Sequence, residues 1–324
     1  MKVMVTGATG FLGLYIVEQL AARGDEVRAF CRRATDDLRL PGVVPVLGDV
    51  RDRAAVVEAC RGVDAVIHTA AIAGIWGPWK LFHETNTLGT QHVIEGCRTH
   101  AVPRLVFTSS PSVTFDGSPQ RGIDESVPYP QRWLAHYPHT KALAEQAVTA
   151  ANAPGVLHTA SIRPHLIWGP RDRHLIPRLL DRARTGQLKQ VGAGENLIDI
   201  TFVENAAAAH LQLLDALASP ALGGRRYFLS QGEPVNCWQW INEILALAGL
   251  PPVKSRVPYG VARIAGGLLE GAWSLLRRSD EPRMTRFLAA QLAMDHYFDI
   301  GAARRDFGYA PAVSTQAGMQ RLEF

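Results

Sequence analysis

The fold is decided by the stretch Val3-Met4-Val5-Thr6-Gly7-Ala8-Thr9-Gly10-Phe11-Leu12-Gly13, in which a short apolar run meets a glycine-rich loop and a helical pattern begins. Gly7 would allow a tight turn, Gly10 would let a pyrophosphate approach the backbone, and Gly13 would let the helix pack closely against the strand. The free N–H groups at the helix start would then face the phosphates. The residues predicted to form this dinucleotide site are Gly7, Thr9, Gly10, Phe11, Leu12 and Gly13.

Short apolar runs and helical patterns alternate through the rest of the first half. Strands are predicted at 3–6, 27–31, 43–47, 65–68, 105–108 and 158–163, and helices at 11–23, 54–60, 86–100 and 140–151. This alternation is typical of βαβ units, so the sequence predicts an α/β fold with a Rossmann-type, doubly wound parallel sheet. We expect residues 1–165 to form the dinucleotide-binding domain. Residues 166–324, with helical patterns at 206–217, 238–247 and 259–276, should form a smaller substrate-binding lobe whose segments interleave with the first domain.

Composition excludes several classes of protein. The 324 residues are 47% hydrophobic and 20% charged, which suits a folded chain with a core rather than a disordered one. The net charge of +4 lacks the basic runs of a nucleic-acid-binding protein, so no nucleic-acid partner is expected. The cysteines are widely spaced, with no metal-ligand pattern, which favours reduced thiols, a cytoplasmic location and no metal site. No signal peptide or membrane span is predicted.

The end of the second predicted strand bears on the choice of cofactor. Arg32 and Arg33 stand where an NAD-binding protein would carry a carboxylate for the ribose 2′-hydroxyl, so NADP(H) is favoured over NAD(H). Asp49, followed by Val50, either meets the adenine amino group or serves as an ordinary turn residue. Small residues after the fourth strand would let the backbone run beside the cofactor; these are Thr69, Ala70 and Ala71.

A second constellation predicts the chemistry. Tyr137 and Lys141 stand one helical turn apart, on one face of a helix that should begin near Tyr137, and Ser110 follows the fifth strand. A neighbouring ammonium would lower the pKa of the tyrosine, which could then exchange a proton with a ketone or alcohol oxygen. Ser110 could donate a hydrogen bond to the same oxygen. We therefore predict Ser110, Tyr137 and Lys141 as catalytic residues of a nicotinamide-dependent oxidoreductase. Tyr137 and Lys141 are also predicted cofactor contacts, Lys141 through the nicotinamide ribose.

These motifs resemble the extended short-chain dehydrogenase/reductase superfamily. The similarity rests on TGATGFLG at 6–13, HTAA at 68–71, SSPSV at 109–113 and YPHTK at 137–141. Segments at 163–170, 196–199, 202–206, 282–287 and 303–309 are similar to the 3β-hydroxysteroid dehydrogenase branch, except that Glu204 stands where Asp is common. The resemblance implies the same Ser-Tyr-Lys triad. Arg163 and Pro164, in the first of these segments, are further predicted cofactor contacts.

The resemblance also implies a substrate class. Interconversion of ketone and secondary alcohol on a bulky apolar substrate is expected, with reduction of a 2-alkyl-3-oxoalkanoate in long-chain olefin biosynthesis favoured. The alternatives are a 3β-hydroxysteroid or sterol-4-carboxylate 3-dehydrogenase, a sugar-nucleotide epimerase or dehydratase, and, from another class, a non-catalytic NADP(H)-sensing protein. The apolar loop at 72–79 argues against a diphosphate sugar, and an intact triad argues against a sensor.

Four tryptophans and one apolar helical stretch bear on the substrate, and each allows more than one interpretation. Trp76, Trp79, Trp133 and Trp168 either line a large hydrophobic substrate site or belong to the core. The apolar stretch 259–276 could cover a lipid-sized tunnel, form a homodimer face or make a peripheral membrane contact.

Overall fold

The computed structural model describes residues 1–324. Strands in the first half are β1 (Lys2–Thr6), β2 (Glu26–Cys31), β3 (Val43–Leu47), β4 (Ala65–His68), β5 (Arg104–Thr108), β6 (Gln120–Ile123) and β7 (His158–Pro164). Helices there are α1 (Phe11–Ala22), α2 (Arg53–Ala59), α3 (Trp79–Phe82), α4 (Gly89–Thr99) and α5 (His136–Ala151), with a π-helical turn at His83–Leu88 before α4.

Shorter strands prevail in the second half. They are β8 (Ile167–Trp168), β9 (Gln190–Val191), β10 (Leu197–Ile198), β11 (Thr201–Phe202), β12 (Arg225–Leu229), β13 (Val235–Asn236), β14 (Arg256–Val257) and β15 (His296–Phe298). The helices are α6 (Leu175–Arg184), α7 (Val203–Ala216), α8 (Cys237–Leu247), α9 (Tyr259–Leu275), α10 (Arg286–Ala293), α11 (Gly301–Phe307) and α12 (Thr315–Met319).

Seven parallel strands form the main sheet, in the order β12-β7-β5-β4-β1-β2-β3. The strand order reverses at β1, where β2 lies on one side and β4 on the other. The neighbouring strands β1 and β4 are followed by helices on opposite faces of the sheet, α1 and α4, so the loops after them diverge and leave a crevice, which is where ligands of such sheets bind. The predicted α/β Rossmann-type fold is confirmed, and the six predicted strands match the observed ones to within one residue at each end.

Helices cover both faces of this sheet. On one face, α1 and α7 contribute Ile16 and Leu213 to a core that also contains Ile67 of β4. On the other face, α4 and α5 contribute Val93 and Val148. Strands covered on both sides can be apolar at every position, which explains why β1 and β4 show no alternation in the sequence.

The two halves of the chain exchange segments. Helix α7 and strand β12 lie beyond residue 165 but pack in the main sheet and its core. In return, β6 from the first half joins a second, four-stranded sheet with the order β13-β10-β15-β6. The second lobe has its own apolar cluster, centred on Trp168, Trp240 and Ile244. The chain therefore passes between the two parts more than once, and the boundary at 165/166 with interleaved segments stays a prediction.

Helix α9 lies along α10. Gly266 allows the close approach, because a Cβ there would lie 2.6 Å from the carbonyl carbon of Thr285. The opposite face of α9 carries large apolar side chains in contact with solvent. No helix in the chain combines the length and apolar character that crossing a bilayer requires.

Candidate active site

The glycine loop has the geometry of a phosphate cradle. Gly7 adopts φ +69°, in the left-handed region that favours glycine, and its N–H donates to the Phe30 carbonyl oxygen at 3.0 Å. A Cβ at Gly13 would lie 2.1 Å from the Gly7 carbonyl oxygen, so the close packing of α1 on the loop needs glycine there. Gly10 is exposed at the start of α1, and no side chain caps the helix. The residues present therefore fit a dinucleotide pyrophosphate.

The loop after β4 lies directly beside this cradle. Thr69 donates from its hydroxyl to the Thr6 carbonyl oxygen at 2.7 Å, and the Ala70 N–H donates to the Thr6 hydroxyl at 3.2 Å. A Cβ at Gly7 would lie 2.9 Å from Thr69 Oγ1. The structure thus brings Thr69 and Ala70 of the predicted segment against the glycine loop, while Ala71, the next residue, is exposed. Of the remaining loop positions, Thr9 and Phe11 are half-buried, whereas the Leu12 side chain belongs to the core.

The side chains predicted to contact the adenosine differ in whether they already have partners within the protein. Arg32 and Arg33, just after β2, are exposed and form no ion pair. The carboxylate of Asp49 is already bound by Arg51 at 2.7 Å, and this hydrogen bond holds the pKa of Asp49 below its usual value. The side chain of Val50 is buried. The two arginines are therefore available to an anionic group, while Asp49 is partly satisfied within the protein.

Ser110 and Tyr137 lie together at the carboxyl end of β5. Ser110 follows that strand and caps a single 3₁₀ turn, with its Oγ 2.9 Å from the hydroxyl of Ser112. Tyr137 stands in the first turn of α5, which begins at His136, close to the predicted start. Burial raises the pKa of Tyr137, and a hydrogen bond with Ser110 opposes that rise.

Lys141 lies one turn deeper along α5 and is only 2% exposed. Its Nζ donates to the Thr108 carbonyl oxygen at 2.5 Å and lies 4.0 Å from the centre of the Phe107 ring. Burial lowers the pKa of Lys141 to about 7, and the negative charge of Glu145 opposes that shift. We expected the ammonium to lower the pKa of Tyr137, but here Ser110 is the group that does so.

Below Lys141 lies a fully buried ion pair. Arg163 donates from Nε and Nη2 to the carboxylate of Glu145 at 2.9 and 2.6 Å, and both side chains are 0% exposed. Tyr129 donates its hydroxyl to the same carboxylate at 2.5 Å. Arg163 was predicted to contact the cofactor, but its guanidinium does not reach the surface of the crevice. Its role is therefore inside the core, while its neighbour Pro164 ends β7.

Two residues that shape this region were not predicted from the sequence. Glu145 follows Lys141 by one helical turn, so its position on the Tyr137–Lys141 face was a usable signal. Asn86, in the π-helical turn, donates from its side-chain amide to Thr140 Oγ1 at 3.1 Å and accepts from the Ile72 N–H at 2.8 Å. It thereby fastens the loop after β4 to α5, and no local pattern indicates this contact.

A large cavity opens beside Tyr137. Its volume is about 780 Å³. Its walls come from the loop after β4, from the segment just before Tyr137, from the end of α9 and from the start of α10; they include Ile75, Trp76, Trp133, His136, Trp273 and Arg277. Chain continuity through His136 places one side of the cavity next to Tyr137.

The tryptophans divide between cavity and core. Trp76 and Trp133 line the cavity. Trp133 also stacks on His139 at 4.2 Å between ring centroids, and Trp79 lies against the same imidazole at 4.8 Å. Trp168 is fully buried against Phe202 and Trp240, so as a substrate contact it is excluded.

Comparison with known proteins agrees with this architecture. The chain is 45% identical to a 2-alkyl-3-oxoalkanoate reductase of Stenotrophomonas maltophilia, over 100% of this chain and 98% of the relative. It is 36% identical to the sterol-4-alpha-carboxylate 3-dehydrogenase (decarboxylating) of Mus musculus, over 99% and 89% of the two chains. The UDP-glucose 4-epimerase of Thermus thermophilus, solved with NAD, superimposes with a TM-score of 0.74 at 25% identity over 99% and 97% of the chains.

The family model for the 3-beta hydroxysteroid dehydrogenase/isomerase family matches residues 4–258, which include the glycine loop, Ser110, Tyr137 and Lys141. The chain belongs to this family, and with its Rossmann-type sheet it is an oxidoreductase with an NAD(P)-binding fold.

Proposed function

We propose that the chain is an NADP(H)-dependent ketoreductase that reduces a 2-alkyl-3-oxoalkanoate to the 2-alkyl-3-hydroxyalkanoate. The observation that carries the proposal is the hydrogen bond between Ser110 and Tyr137, next to a cavity that is lined by His136 and by Trp76, Trp133 and Trp273. Two relatives that bear the name of this reaction, at 45% and 46% identity, support the choice of substrate.

In this mechanism the chain's own residues handle the oxygen and its proton. Ser110 and Tyr137 hold the ketone oxygen by two hydrogen bonds, and Tyr137 donates its proton to that oxygen as negative charge develops. A bound nicotinamide would supply the hydride. Lys141, in its protonated form, stabilises the tyrosinate that remains. Glycines 7, 10 and 13, with the segment from Thr69 to Ala71, would hold the dinucleotide.

Replacement of Tyr137 tests the mechanism. Tyr137→Phe should lower turnover about 100-fold or more, because general-acid catalysis contributes about that much, while NADPH still binds. Turnover would be followed by the oxidation of NADPH, and binding by the quenching of protein fluorescence. Tyr297→Phe is a matched control, because Tyr297 is a half-buried tyrosine of β15 outside the site. Wild-type turnover in Tyr137→Phe would overturn the proposed mechanism.

The preference for NADP(H) rests on Arg32 and Arg33. Both guanidinium groups are free of carboxylate partners and could bind a 2′-phosphate. In the double variant Arg32→Ser/Arg33→Ser, the KM for NADPH should rise about tenfold or more, which corresponds to about 1.4 kcal/mol, and the KM for NADH should stay unchanged. Arg98→Ser, at an exposed position of α4, controls for the loss of positive charge. Equal changes for both cofactors would contradict the assignment.

A sterol-4-carboxylate 3-dehydrogenase is the second candidate. The identity of 36% to the mouse enzyme supports it. Its chemistry, oxidation of a 3-hydroxyl next to a carboxylate-bearing carbon, is the reverse of the proposed reduction. Activity with a 3-hydroxysteroid carboxylate but not with an open-chain acid would favour it. Binding of NADPH without turnover on either would favour the sensor, and turnover of a nucleotide sugar would favour the epimerase.

The outer face of α9 supports a peripheral contact with a lipid surface. Val261, Ile264, Leu268 and Leu275 lie at helical spacing and are 56%, 66%, 71% and 84% exposed. Arg263 is exposed on the same helix. The sole carboxylate of α9 is 11% exposed and bonded to an arginine, so no exposed carboxylate of this helix would repel anionic headgroups.

Vesicle flotation tests this contact. Wild type should float with phosphatidylglycerol vesicles but much less with phosphatidylcholine vesicles, and Ile264→Asp/Leu268→Asp should remain at the bottom of the gradient. Flotation of the double variant like wild type would contradict the contact. A homodimer that sediments as such and is dissociated by the same substitutions would instead assign α9 to self-association. The four cysteines are buried and form no disulfide, and the cytoplasmic location stays a prediction.

A further inference from the structure

We propose that Arg277 binds the carboxylate of the substrate in the cavity beside Tyr137. The inference deepens the proposed function and rests on it: it says that the enzyme selects a β-hydroxy or β-keto acid over the matching alcohol or ketone without a carboxylate. The apolar branches of the substrate would lie against Trp76 and Trp133, which line the same cavity.

The charges that line the cavity favour an anion. Its ionisable side chains are one carboxylate, three guanidinium groups and His136, whose pKa burial lowers. The carboxylate, Glu270, is 11% exposed and is bonded to Arg286 at 2.6 Å. After this pair is formed, two guanidinium groups remain, those of Arg277 and Arg278, and any of them without a carboxylate partner would attract a negatively charged ligand.

One of these two cations has no partner. Arg278 donates to Asp280 at 2.8 and 2.7 Å and lies over the ring of Trp273 at 4.5 Å. Arg277, its neighbour, forms no ion pair or side-chain hydrogen bond and is exposed. A guanidinium presents its N–H groups as a planar fork that matches the two oxygens of a carboxylate. Arg277 is thus the free carboxylate receptor of the cavity.

The backbone at this position is unusual for arginine. Arg277 follows the end of α9 with φ +51°, in the left-handed region where glycine is normally found. Its N–H donates to the Ser274 carbonyl oxygen at 3.1 Å, which closes the helix end. Glycine would make this turn without strain, so arginine at this position has some cost to stability. Such strain is concentrated at ligand-binding positions.

The chemistry of the substrate sets where the carboxylate must lie. In a β-hydroxy acid, one carbon separates the carboxylate from the carbon that exchanges hydride. The guanidinium must therefore extend across the cavity toward His136, the neighbour of Tyr137. Arg277 is able to do so, because its long side chain is held by no other group. Packing of the substrate's alkyl chains against the tryptophans would exclude water from the ion pair between Arg277 and the carboxylate. The loss of water would strengthen that ion pair.

The test compares two stable substrates in the oxidation direction. One is a 2-alkyl-3-hydroxyalkanoate, and the other is the secondary alcohol of the same chain lengths without the carboxylate. Rates are measured with NADP⁺ for wild type, Arg277→Gly and Arg283→Gln. Arg277→Gly relieves the backbone strain and is expected to fold, which its thermal melt checks. Arg283 is exposed in the same loop, pairs with nothing and lies outside the cavity, so it is the charge-matched control.

In Arg277→Gly the KM for the acid should rise about tenfold or more, equivalent to about 1.4 kcal/mol. The KM for the alcohol and both kcat values should stay within about twofold, and Arg283→Gln should behave as wild type. The proposal is overturned if the ratio of the two KM values is the same in Arg277→Gly and wild type, or if the control shifts it equally. Failure of wild type to oxidise either substrate would instead refute the proposed function.

Discussion

The buried pair of Glu145 and Arg163 should be one of the most costly places to remove a single charge. Both side chains are 0% exposed, and the carboxylate accepts three hydrogen bonds, two from Arg163 and one from Tyr129. In Glu145→Gln, the amide –NH₂ would face a guanidinium that can only donate. Removing one member of such a pair costs about 3–5 kcal/mol, because the other charge stays buried without a partner.

This cost can be converted into a melting temperature. Unfolding entropy is about 2.1 cal/mol/K per residue, so the 324 residues give about 0.7 kcal/mol/K. A loss of about 4 kcal/mol therefore predicts a decrease in Tm of about 6 °C. The assay is thermal unfolding followed by circular dichroism, on Glu145→Gln, Arg163→Met and the double variant. The double variant should lose less than the sum of the singles, because neither charge is left alone.

An exposed pair serves as control for the same chemical change. Glu95→Gln breaks the surface pair with Arg53 and should leave the Tm unchanged within error, because water and salt screen it. Two results would refute the reasoning: a decrease in Tm of less than about 2 °C for Glu145→Gln, or strictly additive losses in the double variant. Either would mean that the pair contributes no more than a surface contact.

Three further outcomes follow from the structure. Gly13→Ala should abolish NADPH binding in a fluorescence titration, because its Cβ would lie 2.1 Å from the Gly7 carbonyl oxygen. Lys141→Met should lower kcat. Without NADPH, its Tm should be no lower than that of the wild type, because burial of the lysine ammonium destabilises the folded protein. Burial raises the pKa of Asp199 from 3.8 to about 6 in the folded chain, so stability falls as pH rises through that window. Asp199→Asn should therefore be more stable than wild type at pH 7 by about 3 kcal/mol in urea unfolding, with the difference vanishing near pH 4.

Local sequence patterns predicted six of the seven strands of the main sheet, but not the strands of the second lobe. Strands such as β3 (Val43–Leu47) are apolar runs between turn residues, and their bounds were predicted directly. Strand β12 (Arg225–Leu229) was missed, because its place depends on pairing with β7, more than 60 positions earlier. The strands of the second lobe span two or three residues, which is too short for any period to show.

At the candidate active site, too, local spacing predicted some contacts and only the fold revealed the others. The spacing of Tyr137 and Lys141 within one helix predicted which residues lie together, since helical geometry fixes that relation. Their hydrogen-bond partners come from elsewhere in the chain: Ser110 for the tyrosine and the Thr108 carbonyl for the lysine. Arg163 shows the limit most clearly. Its place in a segment that resembles the family suggested a cofactor contact, and only the fold revealed the carboxylate that neutralises its side chain.

Helix α5 arranges three side chains at successive turns and at increasing depth. Tyr137 is half-buried at the crevice, Lys141 is 2% exposed, and Glu145 is 0% exposed in the core. Each depth suits a different role, because proton exchange needs access to the substrate, a tuned ammonium needs partial loss of water, and the ion pair that fixes the helix needs exclusion of water. The three roles should therefore separate experimentally, with turnover lost at Tyr137, stability lost at Glu145, and the pH dependence of turnover altered at Lys141.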